Sequence, residues 1–146
     1  MRTGRLEQAK SHFMYVYNTR PDDRDALVNI GKILAEQRKS EDAVSWFMKA
    51  LQLNMKDGEV LFAIGNLMAE IGKYKEAESY LSSALDAYPN NVMILLNLGN
   101  TYMMLGRKQE ALNYYRRILK IDSTSSVARN NIKVLSSSGS TGSKPK

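Results

Sequence analysis

Side chains able to carry catalysis or hold a metal are scarce in this chain. His12 is the single histidine and there is no cysteine, so neither a zinc site nor a nucleophile–base pair can be completed from these residue types. An imidazole titrates near neutrality. Yet the positions 34, 68 and 102 residues further on hold Trp46, Tyr80 and Tyr114, which marks a place for a ring in packing or surface cover. Asp22 and Asp23 are adjacent carboxylates placed to cap a following helix rather than to work as an acid/base pair. No GxxxxGK[ST] string is present to cradle a phosphate. What remains can bind rather than react. Primary amides recur in phase, Asn29, Asn97 and Asn131 in one slot and Asn66 and Asn100 in another. Each offers a donor and an acceptor with which to meet the backbone of an extended peptide.

Those amides are placed by a period of 34 residues. Between Val92 and Ser125 the chain reads Leu95-x2-Leu98-Gly99-x2-Tyr102, then Gly106 at a turn, then Ala111-x3-Tyr115. One and two periods earlier Gly99 becomes Gly65 and Gly31, while Ala111 becomes Ala77, Ala43 and finally Ala9. Glycine inside a helix costs about 1 kcal/mol relative to alanine, so three at one period imply a packing return. The short side chains of Gly31/Ala43, Gly65/Ala77 and Gly99/Ala111 are expected where two helices cross closely. This register resembles the tetratricopeptide repeat family over roughly residues 1 to 135. The resemblance implies an all-α fold, a right-handed α-α superhelix or solenoid of antiparallel helix pairs. It also implies that the first helix of each pair lines a concave side where extended peptides bind, with no catalytic site and no cofactor.

Taken in order, residues 1–23 match only the second helix of a repeat, spanning roughly Leu6 to Asn18. Gly4 stands in the turn slot, Ala9 in the small-residue slot and Pro21 in the helix-stop slot shared with Pro89. An orphan helix leaves apolar surface uncovered, which points to a fragment of a longer array or to an end that pairs with another chain. Full units follow at 24–57, 58–91 and 92–125. Their first helices place Leu27, Ile30, Gly31 and Leu34, then Leu61, Ile64, Gly65 and Met68, at amphipathic spacing. Ser40, with Glu41 and Asp42, looks like a capped start to a second helix. Residues 126–135 form a capping helix with Lys133 where the glycines stood, and 136–146 read as a disordered tail.

Projecting the first helices and removing the stripe that packs leaves the groove. Its lining is Asn29 and Lys32 from the first unit, Phe62 and Asn66 from the second, and Met93, Leu96, Asn97, Asn100, Met103 and Met104 from the third. The capping helix adds Asn131. Val28 falls on the same side. Asn97-Leu98-Gly99-Asn100 is similar to the asparagine ladder of the O-GlcNAc transferase repeats, interrupted here by Ala63 and Lys32. Asp25, Glu36, Glu59 and Glu70 make the early groove acidic, and the methionines make the later part apolar and adaptable. A ligand with basic residues at one end and an apolar anchor at the other would suit it. Lys32 is the only cation among the groove slots of the three full units, so a C-terminal carboxylate is not the expected ligand.

Composition sets the outer bounds. The 146 residues are 43% apolar and 25% charged with a net charge of +6, a globular balance that suits one domain. Arg107, Lys108, Arg116, Arg117 and Lys120 gather around Tyr114 and Tyr115, which keeps RNA as a minor alternative. No apolar run approaches the ~20 residues of a membrane span, and no secretory-type start is seen. The cytoplasm is slightly favoured. The expected function is a non-catalytic protein–protein interaction scaffold that takes an extended partner segment in its groove. Homo-oligomerisation through the N-terminal helix is the structural alternative.

Overall fold

The computed structural model describes residues 2–137. Eight helices and no strand occupy them: α1 (Arg2–Thr19), α2 (Arg24–Glu36), α3 (Ser40–Leu53), α4 (Gly58–Glu70), α5 (Tyr74–Ala87), α6 (Val92–Met104), α7 (Lys108–Ile121) and α8 (Ser126–Ser137). Two compact units divide the chain, Met1–Ala87 with α1 to α5 and Tyr88–Lys146 with α6 to α8. The last helix runs two residues past the expected end of the cap and takes in Ser136 and Ser137. The rest of the expected tail, 138–146, lies outside the described residues.

Helix starts are set by short polar side chains. Asp23, Asp57 and Asn91 sit at the N-caps of α2, α4 and α6 and accept hydrogen bonds from the backbone N–H of Ala26, Val60 and Ile94. Ser125, in the same slot, takes that of Ala128 at 3.4 Å. Each side chain satisfies an amide that the helix itself leaves open. Ser40 does not do this for α3. It is the first helical residue, and the side chain of Lys39 at the cap makes no capping bond, as is also true of Arg107 ahead of α7. Those second helices begin straight out of a closed turn, so the turn's backbone supplies the order that a cap would.

The turn is the Schellman arrangement. In the first, Lys39 N–H bonds to Leu34 O at 2.9 Å and Arg38 N–H to Ala35 O at 3.0 Å; Gly72 with Lys73 and Gly106 with Arg107 repeat the pattern. The central residue must be left-handed, which suits Gly72 at φ 80° and Gly106 at φ 74° but puts Arg38 at φ 61°. Gly4, expected in this slot, lies inside α1 instead.

Packing differs from the expected meeting of small residues. A Cβ at Gly31 would come within 3.0 Å of the Phe47 ring, one at Gly65 within 2.7 Å of Leu81 Cγ, and one at Gly99 within 2.5 Å of Tyr115 Cε1. Each glycine therefore makes room for the large residue four positions after the alanine, not for the alanine itself. In the first unit Leu27, Ile30 and Leu34 pack with Phe47, Ala50 and Leu51, and Val60, Leu61 and Ile64 with Leu81, Ala84 and Leu85. Outside this core, the Tyr17 and Trp46 rings of α1 and α3 meet edge-on at 4.8 Å, with Lys49 Nζ 4.2 Å from the indole centre. In the second unit Ile94, Leu95 and Leu98 close on Tyr115 and Ile118, and Ala128 and Leu135 of α8 cover α7.

One cap carries an added load. Arg24 Nε donates to Asp57 Oδ2 at 2.6 Å and its NH2 group to Glu59 Oε2 at 2.8 Å, tying the start of α2 to that of α4. Asp57 is only 9% exposed. The bond from Arg24 holds its carboxyl below the usual carboxylate range, and the same contacts push the guanidinium's pKa up.

Four substitutions test this framework. Gly99→Ala is expected to destabilise by about 1–2 kcal/mol, because displacing the enclosed Tyr115 ring costs more than the ~1 kcal/mol gained in helix propensity. Gly31→Ala, whose neighbour is 0.5 Å farther away (3.0 against 2.5 Å), should be nearer neutral in a urea melt. Arg38→Gly should raise stability by about 0.5–1 kcal/mol by relieving the left-handed backbone, since its bond to Glu70 is exposed and worth little. Asp57→Asn keeps a cap oxygen but loses the ion pair, for a loss of about 1–2 kcal/mol at pH 7. Because the folded carboxyl has the lower pKa, its stabilisation is complete above the unfolded value and is lost as pH falls through the folded one. Thermal melts of wild type and Asp57→Asn should therefore converge as the pH is taken below the ordinary aspartate range.

Candidate functional site

In the first unit the candidate residues stand on α2 and α4. Asn29 is half-buried and its Nδ2 donates to Asp25 O at 2.7 Å, which turns that end of the amide back onto its own helix. Lys32 is exposed, with Nζ 2.7 Å from Glu59 Oε1. Phe62 and Asn66 are half-buried. Val28 is 2% exposed and belongs to the core, not to the face.

The acidity expected here is largely answered within the unit. Glu59 is shared by Lys32 and Arg24, Asp25 has Arg24 at 3.3 Å, and Glu70 has Arg38 at 3.2 Å. Lys32 first, then Arg24, holds the Glu59 carboxyl below its ordinary range. Arg24 opens the helix and Arg38 lies in the turn, so neither falls in a groove slot by projection. Their long side chains reach across to the neighbouring hairpin.

The second unit presents a different face. No residue of α6 is charged. Met93 and Met104 are 56% and 61% exposed, Leu96, Asn97 and Met103 are half-buried, and Asn100 is exposed. From α8 come Val127 and Val134, both exposed, and the half-buried Asn131. Tyr115 links the two helices. Its hydroxyl donates to Asn100 Oδ1 at 2.8 Å, has Met103 Sδ at 3.1 Å, and is hydrogen-bonded by Asn131. Burial pushes its pKa up. The face thus brings Asn100, Met103 and Asn131 together around one oxygen. Projection missed Tyr115, although a hydroxyl in a slot otherwise held by Phe47 and Leu81 was a usable signal.

The basic cluster around α7 loses one of the two rings it was credited with, because Tyr115 is wholly buried. Tyr114 instead stacks on Tyr102 at 5.3 Å. Arg107 lies 4.5 Å from the Tyr102 ring and bonds to Glu110 at 2.8 Å, and Arg117 donates to Pro89 O at 2.9 Å. Tyr102, Glu110, Asn113, Tyr114 and Arg117 line a cleft of about 290 Å³. His12 is exposed and its ring meets Phe13 edge-on at 5.5 Å. Tyr15 on α1, 70% exposed, is the main apolar feature of the helix expected to support self-association. Among the described residues no group of His, Asp or Glu side chains could hold a metal, and no helix is long and apolar enough to cross a membrane.

Solved structures similar to this chain share its fold. MamA is 19% identical, with 94% of this chain and 81% of that one covered at a TM-score of 0.89. YrrB, described as a TPR protein with an unusual peptide-binding site, is 22% identical with 90% and 68% covered at 0.79. The first TPR of Spaghetti (RPAP3), bound to the HSP90 peptide SRMEEVD, is 18% identical with 79% and 91% covered at 0.74. No curated protein matches the sequence. The likeness shows the all-α tetratricopeptide-type architecture expected from the period. Family models for the tetratricopeptide repeat match residues 25–57 and 62–126, most of the helical hairpins described above, and the chain belongs to the tetratricopeptide repeat family.

Proposed function

We propose that the protein is a non-catalytic interaction module that binds an extended segment of a partner protein along the first helices of its hairpins. The observation that carries this reading is the α6 face, where Met93 and Met104 stand exposed beside Leu96, Asn97 and Asn100 on a helix without a charge. Exposed methionine with a polar amide alongside suits an apolar side chain that brings its backbone with it. The peptide-bound Spaghetti domain and the peptide site of YrrB support the same use of the fold. In the first unit Lys32, Glu59 and Arg24 already satisfy one another, so Phe62 is the more useful contact there. A nucleic-acid role is disfavoured by the engagement of Arg107 and Arg117 and by the burial of Tyr115.

Screening a bead-displayed peptide library and measuring the best binder by fluorescence anisotropy tests the proposal. Met93→Ala with Met104→Ala should weaken binding by about tenfold or more, from the apolar burial that two truncated side chains forfeit. Thermal stability should hold, because both side chains are exposed. Met103 is a poorer choice, since it also touches Tyr115. A library without binders, or a binder indifferent to the double substitution, would sink the reading.

A further inference from the structure

One slot on the second helices holds a long cation in two of the full repeats and a short side chain in the other. Lys49, Ser83 and Arg117 occupy it, 34 residues apart. Lys49 lays its ammonium 4.2 Å from the Trp46 ring centre, and Arg117 reaches the loop ahead of α6, donating to Pro89 O at 2.9 Å. One period before Pro89 stands Met55, which Ser83 is too short to reach. A cavity of about 430 Å³ lies there, lined by Met55, Lys56, Leu61, Ser83, Asp86 and Ala87, all of them in the first compact unit. Ligand sites span ~300–1,000 Å³.

The lining has spent donors and kept acceptors. Ser83 gives its hydroxyl proton to Ser79 O at 3.1 Å, so its oxygen is left to accept. The Lys56 N–H is used on Asn54 Oδ1 at 3.1 Å. Asp86 is exposed and has no ion-pair partner among the described residues. It stands in the last turn of α5, which carries no basic residue, and the open carbonyls of a helix end favour a cation. One period later its slot holds Lys120, so the charge of this place is reversed along with its filling. Leu61, only 6% exposed, and the thioether of Met55 supply an apolar wall. The Lys56 ammonium is the one cation of the lining, exposed on a flexible stem that can turn it to water. We propose that this cavity is a docking site for a single arginine side chain of a partner protein. The methylenes lie on Leu61 and Met55, and the guanidinium fork meets the Asp86 carboxylate and Ser83 Oγ, in the place that the chain's own Arg117 fills one repeat later. The site is distinct from the α6 face and does not rest on it.

The test uses the full chain and two end-blocked peptides, Gly-Ser-Arg-Ser-Gly and its counterpart with citrulline, which keeps the shape of arginine and loses the charge. Methyl NMR signals of Met55 and Leu61 are followed as each peptide is added to wild type, Asp86→Asn and Ser83→Arg. The arginine peptide is expected to shift both signals with a Kd in the millimolar range that rises about fivefold in Asp86→Asn, and the citrulline peptide to shift neither. Ser83→Arg closes the cavity as Arg117 closes its own, and should abolish the response without lowering the melting temperature, since the position is exposed. Signals indifferent to the arginine peptide, an equal response to citrulline, or a response that survives Ser83→Arg overturn the inference. So does binding of N-acetyl-arginine methylamide where the peptide does not bind, which makes the site one for a free guanidinium compound. Should Ser83→Arg melt early, Asp86→Asn decides alone, an unchanged Kd overturning the inference. None of these results bears on peptide binding at Met93 and Met104, which the α6 substitutions test separately.

Discussion

Everything in this molecule depends on a helix backbone meeting a large side chain with nothing in between. At Gly31, Gly65 and Gly99 the first helix of each hairpin offers bare backbone, and Phe47, Leu81 or Tyr115 of the second lies against it. A close-packed interior gives little room for adjustment, so this contact sets how near the helices of a pair come. With the separation set, the opposite side of α2, α4 or α6 is relieved of packing duty. That division lets a repeat keep one architecture while its other side varies from charged to apolar.

The variation is local and chemically distinct. Around α2 and α4 carboxylates and cations satisfy one another, giving a polar surface whose charges are largely spent on joining neighbouring hairpins. Around α6 there is no charge to spend, and the surface is methionine, leucine and amide. Arg24 and Tyr115 are the residues that set these characters. Each is a single departure from the period, where the equivalent positions hold Gly58 and Val92 for the first and Phe47 and Leu81 for the second.

How much could be read in advance divides along the same line. Helix positions, the core stripe and the cap at Asp23 were legible because they arise from contacts within a few residues, where spacing alone decides the geometry. The glycine–ring contact was half legible. The period located the glycines, yet which residue lay opposite depended on how the second helix is rotated. Ser40 and Gly4 misled for a related reason, since a residue suited to a cap or a turn acts as one only if the adjoining chain leaves the need unmet. The bonds from Arg24 to Asp57 and from Tyr115 to Asn100 span 33 and 15 residues. Nothing local announces which rotamer will reach across.

The placement of Trp46 has an optical consequence. It is the only tryptophan in the chain, and its ring sits against Tyr17 and Lys49 between α1 and α3, so intrinsic indole emission is a reporter of the first unit alone. Far-ultraviolet dichroism weighs every helix instead. Repeats that lose order one neighbour at a time would make the two signals part company, and the gap between them would measure how far unfolding stays confined to one end.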